Sequence, residues 1–475
     1  MDDLADLPAT DLVAAYRSKA VSPVEATEAA FDRIARFDAE VNAFCLIDEE
    51  EALRQARDSE SRWNRGTPAG ALDGVPTSIK DLLLTQGWPT LRGSRLSNPD
   101  QDWNEDAPSV ARLREAGAVL IGKTTTPEFG WKGVTDNPLT GATTNAWNET
   151  RTSGGSSGGS ASAVALGMGQ LSVGTDGGGS VRIPAAFSGI VGMKPTYGAI
   201  PLYPSSPFGT LAHAGPMTRT VEDAALMMDV LCGFDARDWS ALRPPTESYR
   251  ARLNDGIDGL RIGYSRDFGY AEVDPDVAAS VEQAARVLAG LGARIDEVDP
   301  GFDDPRGAYH VLWFAGAAKV LDGYDPERWS EVDPALLDVA DAGRQMSAMD
   351  VLAANQVRAD LGRRMGAFHE TYDLLITPTV PIGAFEVAAE TPAGRGLTRW
   401  TEWTPFTYPF NLTQQPAISV PCGLTRDGMP IGLQLVGPRH SDALVLRAAA
   451  AYAAAAPFGV PPMGDDAGRP GATAG

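Results

Sequence analysis

Apolar positions change their spacing along this chain, and the changes mark its elements. After Ser22-Pro23-Val24-Glu25, the residues Ala26, Ala29, Ile34 and Phe37 follow at helical intervals. Ser as N-cap, Pro at the first helical position and Glu reaching back to the cap make a helix start, and residues 1–60 read as helices throughout. From Gly74 to Leu231 short apolar runs such as Ala118-Val119-Leu120-Ile121 alternate with Gly/Pro/Thr-rich turns and helical patterns, which predicts a mixed α/β core. Residues 255–300 predict a strand (Leu260–Tyr264), an amphipathic helix (Val277–Leu291) and a second strand (Arg294–Val298), a compact unit read as a cap on that core. Most of Gly307–Thr371 is helical in pattern, with His310, Trp313 and Phe314 adding bulk. Near the end, Ala417–Leu424 and Pro430–Val436 flank Arg426-Asp427-Gly428, and Asp-Gly suits the positive φ angles of a tight hairpin. The Gly/Pro/Ala-rich stretch from Pro461 onward reads as frayed. No internal repeat is present.

Composition narrows the functional classes. An apolar content of 43% over 475 residues is ample for a core, in one large α/β domain or in two or three small ones. A net charge of -22 argues against nucleic acid as a partner, since grip on a phosphate backbone comes from clustered Lys and Arg. The N-terminus, Met1-Asp2-Asp3-Leu4-Ala5-Asp6, has no basic or apolar leader pattern, and no apolar run is long enough to span a bilayer. These features predict a soluble cytoplasmic protein without a membrane partner. Cys45, Cys232 and Cys422 are far apart and form no C-x-x-C, which suggests neither a disulfide framework nor a zinc site.

Two glycine-framed serines carry the chemistry: Ser156 in Ser153-Gly154-Gly155-Ser156-Ser157-Gly158-Gly159-Ser160 and Ser180 in Gly174-Thr175-Asp176-Gly177-Gly178-Gly179-Ser180. By composition the first run resembles a flexible linker. It leads, however, straight into the small apolar segment Ala161-Ser162-Ala163-Val164-Ala165-Leu166, fit to pack on a sheet, so its glycines suit unusual backbone angles and close approach to a ligand. Lysine is scarce, confined to Lys19, Lys80, Lys123, Lys132, Lys194 and Lys319. Where arginine is the habit, a retained lysine suggests a titratable amine. Lys80 follows the apolar run Val75–Ile79, which should draw its amine out of water; a salt bridge to Asp81 is the plainer reading. Two other motifs compete. Gly117-Ala118-Val119-Leu120-Ile121-Gly122-Lys123-Thr124 spells a phosphate-binding loop, but its middle is a buried-strand run and Pro127 interrupts the following helix. Gly154-Gly155-Ser156-Ser157-Gly158 spells a nucleophile elbow, which needs a His base from among His213, His310, His369 and His440 and a preceding strand that is missing.

With Pro76-Thr77-Ser78-Ile79-Lys80-Asp81 upstream and Val181-Arg182-Ile183-Pro184-Ala185-Ala186-Phe187-Ser188-Gly189 and Gly192-Met193-Lys194-Pro195-Thr196 downstream, the serine motifs resemble the amidase signature family along nearly the whole chain. Further similarity lies at Asn145-Ala146-Trp147-Asn148 and Gln415-Pro416-Ala417-Ile418-Ser419-Val420-Pro421. The resemblance implies an α/β fold with a large mixed central sheet covered by helices, laid out as one domain over 1–475. Its parts are N-terminal helices (1–60), a catalytic core (61–250), a capping insertion (251–345), completion of the core (346–462) and a frayed tail (463–475). It implies hydrolysis of a small amide-type substrate without metal or cofactor. Ser180 would be the nucleophile, Ser156, behind a cis peptide bond, the relay, and Lys80 the base; neutral Lys80 requires a desolvated amine. The backbone N–H groups of Gly177, Gly178, Gly179 and Ser180 would form the oxyanion hole. Asp176 and Arg182 would hold the loop, with a substrate-carboxylate role for Arg182 left open. Phe129, Gly130 and Trp131 would line the acyl pocket, Trp131 favouring an aromatic or bulky apolar acyl group or else serving as core. Tyr203 and Phe208 in the loop Leu202–His213 are further candidates. The chain departs from the family at Gly177 and Ser188, and the extra glycine is expected to loosen the oxyanion loop. Amides, anilides, hydrazides, carbamates and cyclic amides all remain open as substrates. Homodimers are the commonest closed assembly. A different class of function is the amidase component of a tRNA-dependent amidotransferase, making ammonia from Gln or Asn for a partner; the acidic balance and the loop Ile200–Phe208 count against it.

Overall fold

The computed structural model describes residues 4–462; the tail expected to fray, 463–475, lies outside the described residues. An 11-stranded mixed sheet forms the centre. Its strands in chain order are β1 (Phe44–Ile47), β2 (Pro76–Lys80), β3 (Val119–Thr124), β4 (Leu171–Asp176), β5 (Val191–Lys194), β6 (His213–Thr218), β7 (Arg261–Tyr264), β8 (Arg294–Glu297), β9 (Leu374–Pro378), β10 (Ala417–Leu424) and β11 (Pro430–Val436). Side by side they run β1-β3-β2-β4-β6-β5-β10-β11-β9-β7-β8. Every residue of β2 and β3 is buried, as expected of strands covered on both faces. The period-2 alternation is clearest in β9: Leu374 and Ile376 enter one core and Leu375 the other. Helices Val221–Leu231, Pro275–Gly290 and Asp442–Ala455 fill the first core, and Arg182–Ser188 packs its Ile183 and Phe187 into the second. No helix among the described residues is long and apolar enough to cross a membrane.

The N-terminal helix starts where its residues require. Ser22 Oγ accepts from the Glu25 N–H (3.1 Å) and the Glu25 carboxylate accepts from the Ser22 N–H (2.8 Å), a complete capping box over Pro23–Val41. Between this helix and Glu49–Arg65, however, the apolar Phe44-Cys45-Leu46-Ile47 is an edge strand, paired antiparallel with β3. The hairpin at Asp427-Gly428 forms with only Gly428 at positive φ (+83°). The Gly428 N–H donates to Thr425 O and the Thr425 N–H to Met429 O, so this is the three-residue hairpin with a left-handed third residue.

The unit expected as a cap divides into two parts. Its strand–helix–strand portion is laid into the sheet, β7 pairing in parallel with both β9 and β8. The helices that follow, Arg306–Leu321 and Pro334–Arg344, contribute Tyr309, Trp313 and Leu336 to the second core, beside the loops that carry the two serines.

Candidate active site

Lys80 ends β2 and Asp176 ends β4, and these strands are parallel neighbours. Their C-terminal ends therefore open at the same edge of the sheet, where α/β folds gather reactive groups. Ser156 lies in the turn before the helix Gly158–Ala165, and Ser180 in the loop between β4 and Arg182–Ser188. The Gly155–Ser156 peptide bond is cis. Both serines line one cavity of ≈ 590 Å³.

Lys80 is the buried hub. Its Nζ lies 2.6 Å from Ser156 Oγ, 2.9 Å from Ser157 Oγ and 2.9 Å from Thr175 Oγ1. Burial drives this amine well below its ordinary value, against the opposing charge of Asp176. The salt bridge to Asp81 does not form: Asp81 instead faces Lys123 Nζ at 3.1 Å and accepts from the Arg92 N–H at 2.8 Å. A neutral amine has two N–H donors and one lone pair, so with three hydroxyl neighbours it can donate to two and take the proton of the third. Gly130, at φ +72°, lies against this group; a Cβ there would meet Leu82 Cδ1 at 2.6 Å and Ser156 Oγ at 3.3 Å.

The loop before Ser180 is pinned from beneath. Arg182 Nε and Nη2 donate to Asp176 Oδ2 (3.0 Å) and Oδ1 (2.9 Å) in a fork, and the guanidinium also donates to Asn411 Oδ1 (2.7 Å) and Gln434 Oε1 (2.8 Å). Both charged side chains are fully buried. Burial alone would raise the Asp176 carboxyl, but the Arg182 charge and hydrogen bonds outweigh it and hold the group well below the usual carboxylate range. Arg182 is thus spent on the loop and does not line the cavity.

Asp176 also decides which backbone donors remain free. Its Oδ1 accepts from the Gly179 N–H at 2.8 Å, so Gly179 drops out of the expected oxyanion set. The N–H groups of Gly177, Gly178 and Ser180 have no protein acceptor among the described residues. The carbonyls between them are tied back: Thr407 Oγ1 donates to Gly178 O (2.6 Å) and the Tyr309 hydroxyl to Gly177 O (3.3 Å). A Cβ on Gly177 would lie 2.7 Å from Trp313 Cζ3. Glycine at 177 is therefore accounted for by the ring closing on the loop, where the sequence suggested looseness.

Of the expected pocket residues, Phe129 and Gly130 line the cavity and Trp131 does not. Trp131 is fully buried behind the wall; its Nε1 donates to Asp333 Oδ2 (3.1 Å) and its carbonyl accepts from Trp313 Nε1 (3.0 Å). The indole that faces the cavity is Trp313, stacked on Phe208 with centroids 3.9 Å apart. Tyr203 and Phe208 line the cavity as their loop predicted, with Leu82, Leu202, Val320 and Tyr324 adding apolar surface beside Arg92, Ser205, Ser206 and Lys319. The motifs single out neither Ser157 and Thr175, which touch Lys80, nor Tyr309 and the cavity role of Trp313. The first two sit inside the quoted motifs, one residue from Ser156 and from Asp176; the aromatic pair comes from a distant helix and carries no local signal.

The competing motifs do not assemble. Lys123 lies in a buried strand, donating to Thr90 Oγ1 (2.6 Å) and Leu83 O (2.9 Å), with no phosphate-binding loop around it. His213 reaches the cavity, but its Nδ1 faces Leu211 O at 2.8 Å, and among the described residues no histidine is hydrogen-bonded to Ser156 or Ser180.

Known proteins are similar to this chain over nearly its whole length. The Amidase family model matches residues 25–446. An acylamidase of Rhodococcus erythropolis is 38% identical over 459 residues, 95% of this chain and 96% of that enzyme. A glutamyl-tRNA(Gln) amidotransferase subunit of Alkaliphilus metalliredigens is 34% identical over 479 residues, covering 94% and 96% of the two chains. Among solved structures, a bacterial aryl acylamidase of the amidase signature family superposes with a TM-score of 0.90 at 33% identity, over 98% of this chain and 99% of that one.

Proposed function

We propose that this chain, which belongs to the amidase signature family, is a free-standing acylamidase that cleaves aryl or bulky apolar amides through an acyl-enzyme on Ser180. Hydrolysis of an amide C–N bond is the activity of the family and of its acylamidase relatives. The contact that carries the mechanistic reading is the 2.6 Å separation of Lys80 Nζ and Ser156 Oγ inside a desolvated pocket. A serine hydroxyl attacks a carbonyl only as its proton leaves. As Ser180 Oγ bonds to the substrate carbonyl carbon, its proton passes to Ser156 Oγ, and the Ser156 proton passes to the lone pair of neutral Lys80. The oxyanion that forms lies within reach of the free N–H groups of Gly177, Gly178 and Ser180, donors already oriented and so needing no rearrangement in the transition state. Collapse of the tetrahedral intermediate breaks the C–N bond, the proton returning through Ser156 to the departing amine. Water, deprotonated by the same relay, then releases the acid from Ser180.

The wall of Phe129, Phe208, Trp313 and Tyr324 supports an aromatic substrate, since such a surface offers area and ring contacts to a ring. The second reading, an amidotransferase component that releases ammonia from Gln or Asn, rests on the similarity to the Alkaliphilus metalliredigens protein over nearly the whole chain. Those four aromatic rings in the cavity wall favour the first.

The test sets purified wild type beside Ser180→Ala on a panel of aryl and alkyl amides, anilides, hydrazides, carbamates, Gln and Asn, with products followed by mass spectrometry. Cleavage of aryl amides by wild type alone is expected. Equal turnover by both proteins would remove Ser180 as nucleophile, and turnover of Gln alone would favour the amidotransferase reading.

A further inference from the structure

A second cavity, of ≈ 550 Å³, opens between the helix Ala348–His369 and the segments at Thr210 and Leu412–Gln415, with Arg439 at its edge. It shares no lining residue with the catalytic cavity. Two arginines line it, Arg358 and Arg439, and no Asp or Glu does, in a chain whose net charge is -22. Arg358 Nε donates to Leu412 O (2.6 Å), Nη1 to Thr210 Oγ1 (2.6 Å) and Nη2 to Thr210 O (3.2 Å). Those bonds fix the guanidinium at the cavity wall and leave one N–H on each terminal nitrogen unspent. Neither arginine has a carboxylate within ion-pair distance among the described residues.

Two buried polar atoms in the same wall are also unpaired: Thr413 Oγ1 and Gln415 Oε1. Gln415 is 3% exposed, and its amide nitrogen is already committed to Gly437 O (2.9 Å) and His369 Nε2 (2.9 Å). Its carbonyl oxygen is thereby oriented and lacks a donor, a state that costs free energy unless something supplies one. Positive charge thus lines the cavity beside two residues, Thr413 and Gln415, that each hold a buried polar atom without a partner.

We infer that this cavity binds a small oxyanion that itself carries a hydrogen-bond donor, hydrogenphosphate being the simplest. Its charged oxygens take the free N–H groups of Arg358 and Arg439 and the Thr413 hydroxyl, and its O–H donates to Gln415 Oε1. Binding here reaches the catalytic cavity through a short path. Thr210, held by Arg358, belongs to the turn Gly209–Leu211, whose neighbours Phe208, Ala212 and His213 line that cavity. The Leu211 carbonyl accepts from Asn411 Nδ2, the amide that also donates to Asp176 Oδ1 (2.8 Å).

Equilibrium dialysis of the full chain against radiolabelled inorganic phosphate tests the site, with sulfate, which has no O–H at neutral pH, as competitor. Expected are a single saturable site, retained in Ser180→Ala, and a dissociation constant roughly tenfold weaker in the exposed-residue variant Arg439→Ala, the scale of one charge-assisted hydrogen bond. Thr413→Val should weaken binding in the same direction, and sulfate should compete poorly. No saturable binding, binding untouched by Arg439→Ala, or sulfate competing as well as phosphate would overturn the assignment. The coupling is read separately: phosphate should shift KM for an amide substrate in wild type, the same shift should need a roughly tenfold higher phosphate concentration in Arg439→Ala, and an unmoved KM in both overturns the path through Thr210.

Discussion

Lys80 and Ser156 are 76 residues apart in the chain and meet with Nζ 2.6 Å from Oγ, in a pocket where neither side chain reaches solvent to any useful extent. The relay proposed on that contact would act as a unit. Lys80→Met and Ser180→Ala should each lower kcat by about 10³-fold or more, and a Lys80→Met/Ser156→Ala double variant should be little worse than Lys80→Met alone, because groups that act together lose their effect together. Single-turnover kinetics on wild type, these three variants and Ser156→Ala, with circular dichroism to verify folding, checks this; multiplicative losses in the double variant would mean the two residues act independently.

The pH dependence follows from the same amine. Burial depresses the Lys80 pKa well below its ordinary value, and only the unprotonated form has a lone pair for the Ser156 proton. The rate kcat/KM should therefore be full above the depressed value and fall about tenfold per pH unit below it. The limb belongs to the acid side of the ordinary lysine range near 10.4. A rate still climbing through that range would show an unperturbed lysine. Lys80→Arg should be inactive at every pH, since a guanidinium does not deprotonate.

What could be read in advance has a physical pattern. Lys80, Ser156, Ser180, Asp176 and Arg182 sit in motifs whose chemistry is local: glycines frame the serines, and an apolar strand runs into the lysine. Their residue types say what the backbone must do there. Trp131 against Trp313 shows the limit. Both are large indoles on apolar stretches, and which one faces the cavity depends on how the helix Arg306–Leu321 lies over a loop more than a hundred positions earlier, a long-range packing outcome with no signature in either segment. Gly179 shows another limit, because its N–H is consumed by an Asp176 oxygen that only the folded loop brings to it. The edge strand Phe44–Ile47 was hidden for a simpler reason: four apolar residues between two helices fit either period.

Phe208 should set preference among acyl or amine groups. Its ring is stacked on Trp313 and both line the cavity. Phe208→Ala should lower kcat/KM for aryl amides by roughly 3- to 10-fold, the worth of one ring contact, while alkyl amides change less. Equal losses on both series would place the ring outside the substrate's reach.

Gly130→Ala tests the packing around the relay. Its φ of +72° disfavours any side chain, and the new Cβ would press on Leu82 Cδ1 at 2.6 Å and approach Ser156 Oγ at 3.3 Å. A stability loss of about 1–3 kcal/mol is expected from strain and overpacking. Because the displaced atom beside it is the hydroxyl proposed as relay, kcat should fall by more than KM changes; a variant with lower melting temperature and unaltered kcat would show that Leu82 absorbs the whole displacement.

Asp176→Asn should be costly for two reasons that can be separated. The change strips the countercharge from a fully buried Arg182, and breaking one side of such a pair costs about 3–5 kcal/mol because the remaining charge is uncompensated. Arg182→Met removes the other charge, and the double variant should lose less than the sum of the singles, since it buries no lone charge. The sign of the pH effect is set by the depressed carboxyl: its stabilisation is fully present above the unfolded aspartate value near 3.9 and is lost as pH falls through the lower folded value. Urea unfolding at neutral pH and at pH near 4.5 should then give nearly the same penalty for Asp176→Asn, with a smaller one only in stronger acid. The second reason is catalytic. Asp176 holds the Gly179 and Val181 N–H groups and so shapes the loop whose remaining N–H groups are proposed to hold the oxyanion. The folded fraction of Asp176→Asn should consequently show a lowered kcat with little change in KM, whereas a purely structural carboxylate would leave the kcat of the folded fraction intact.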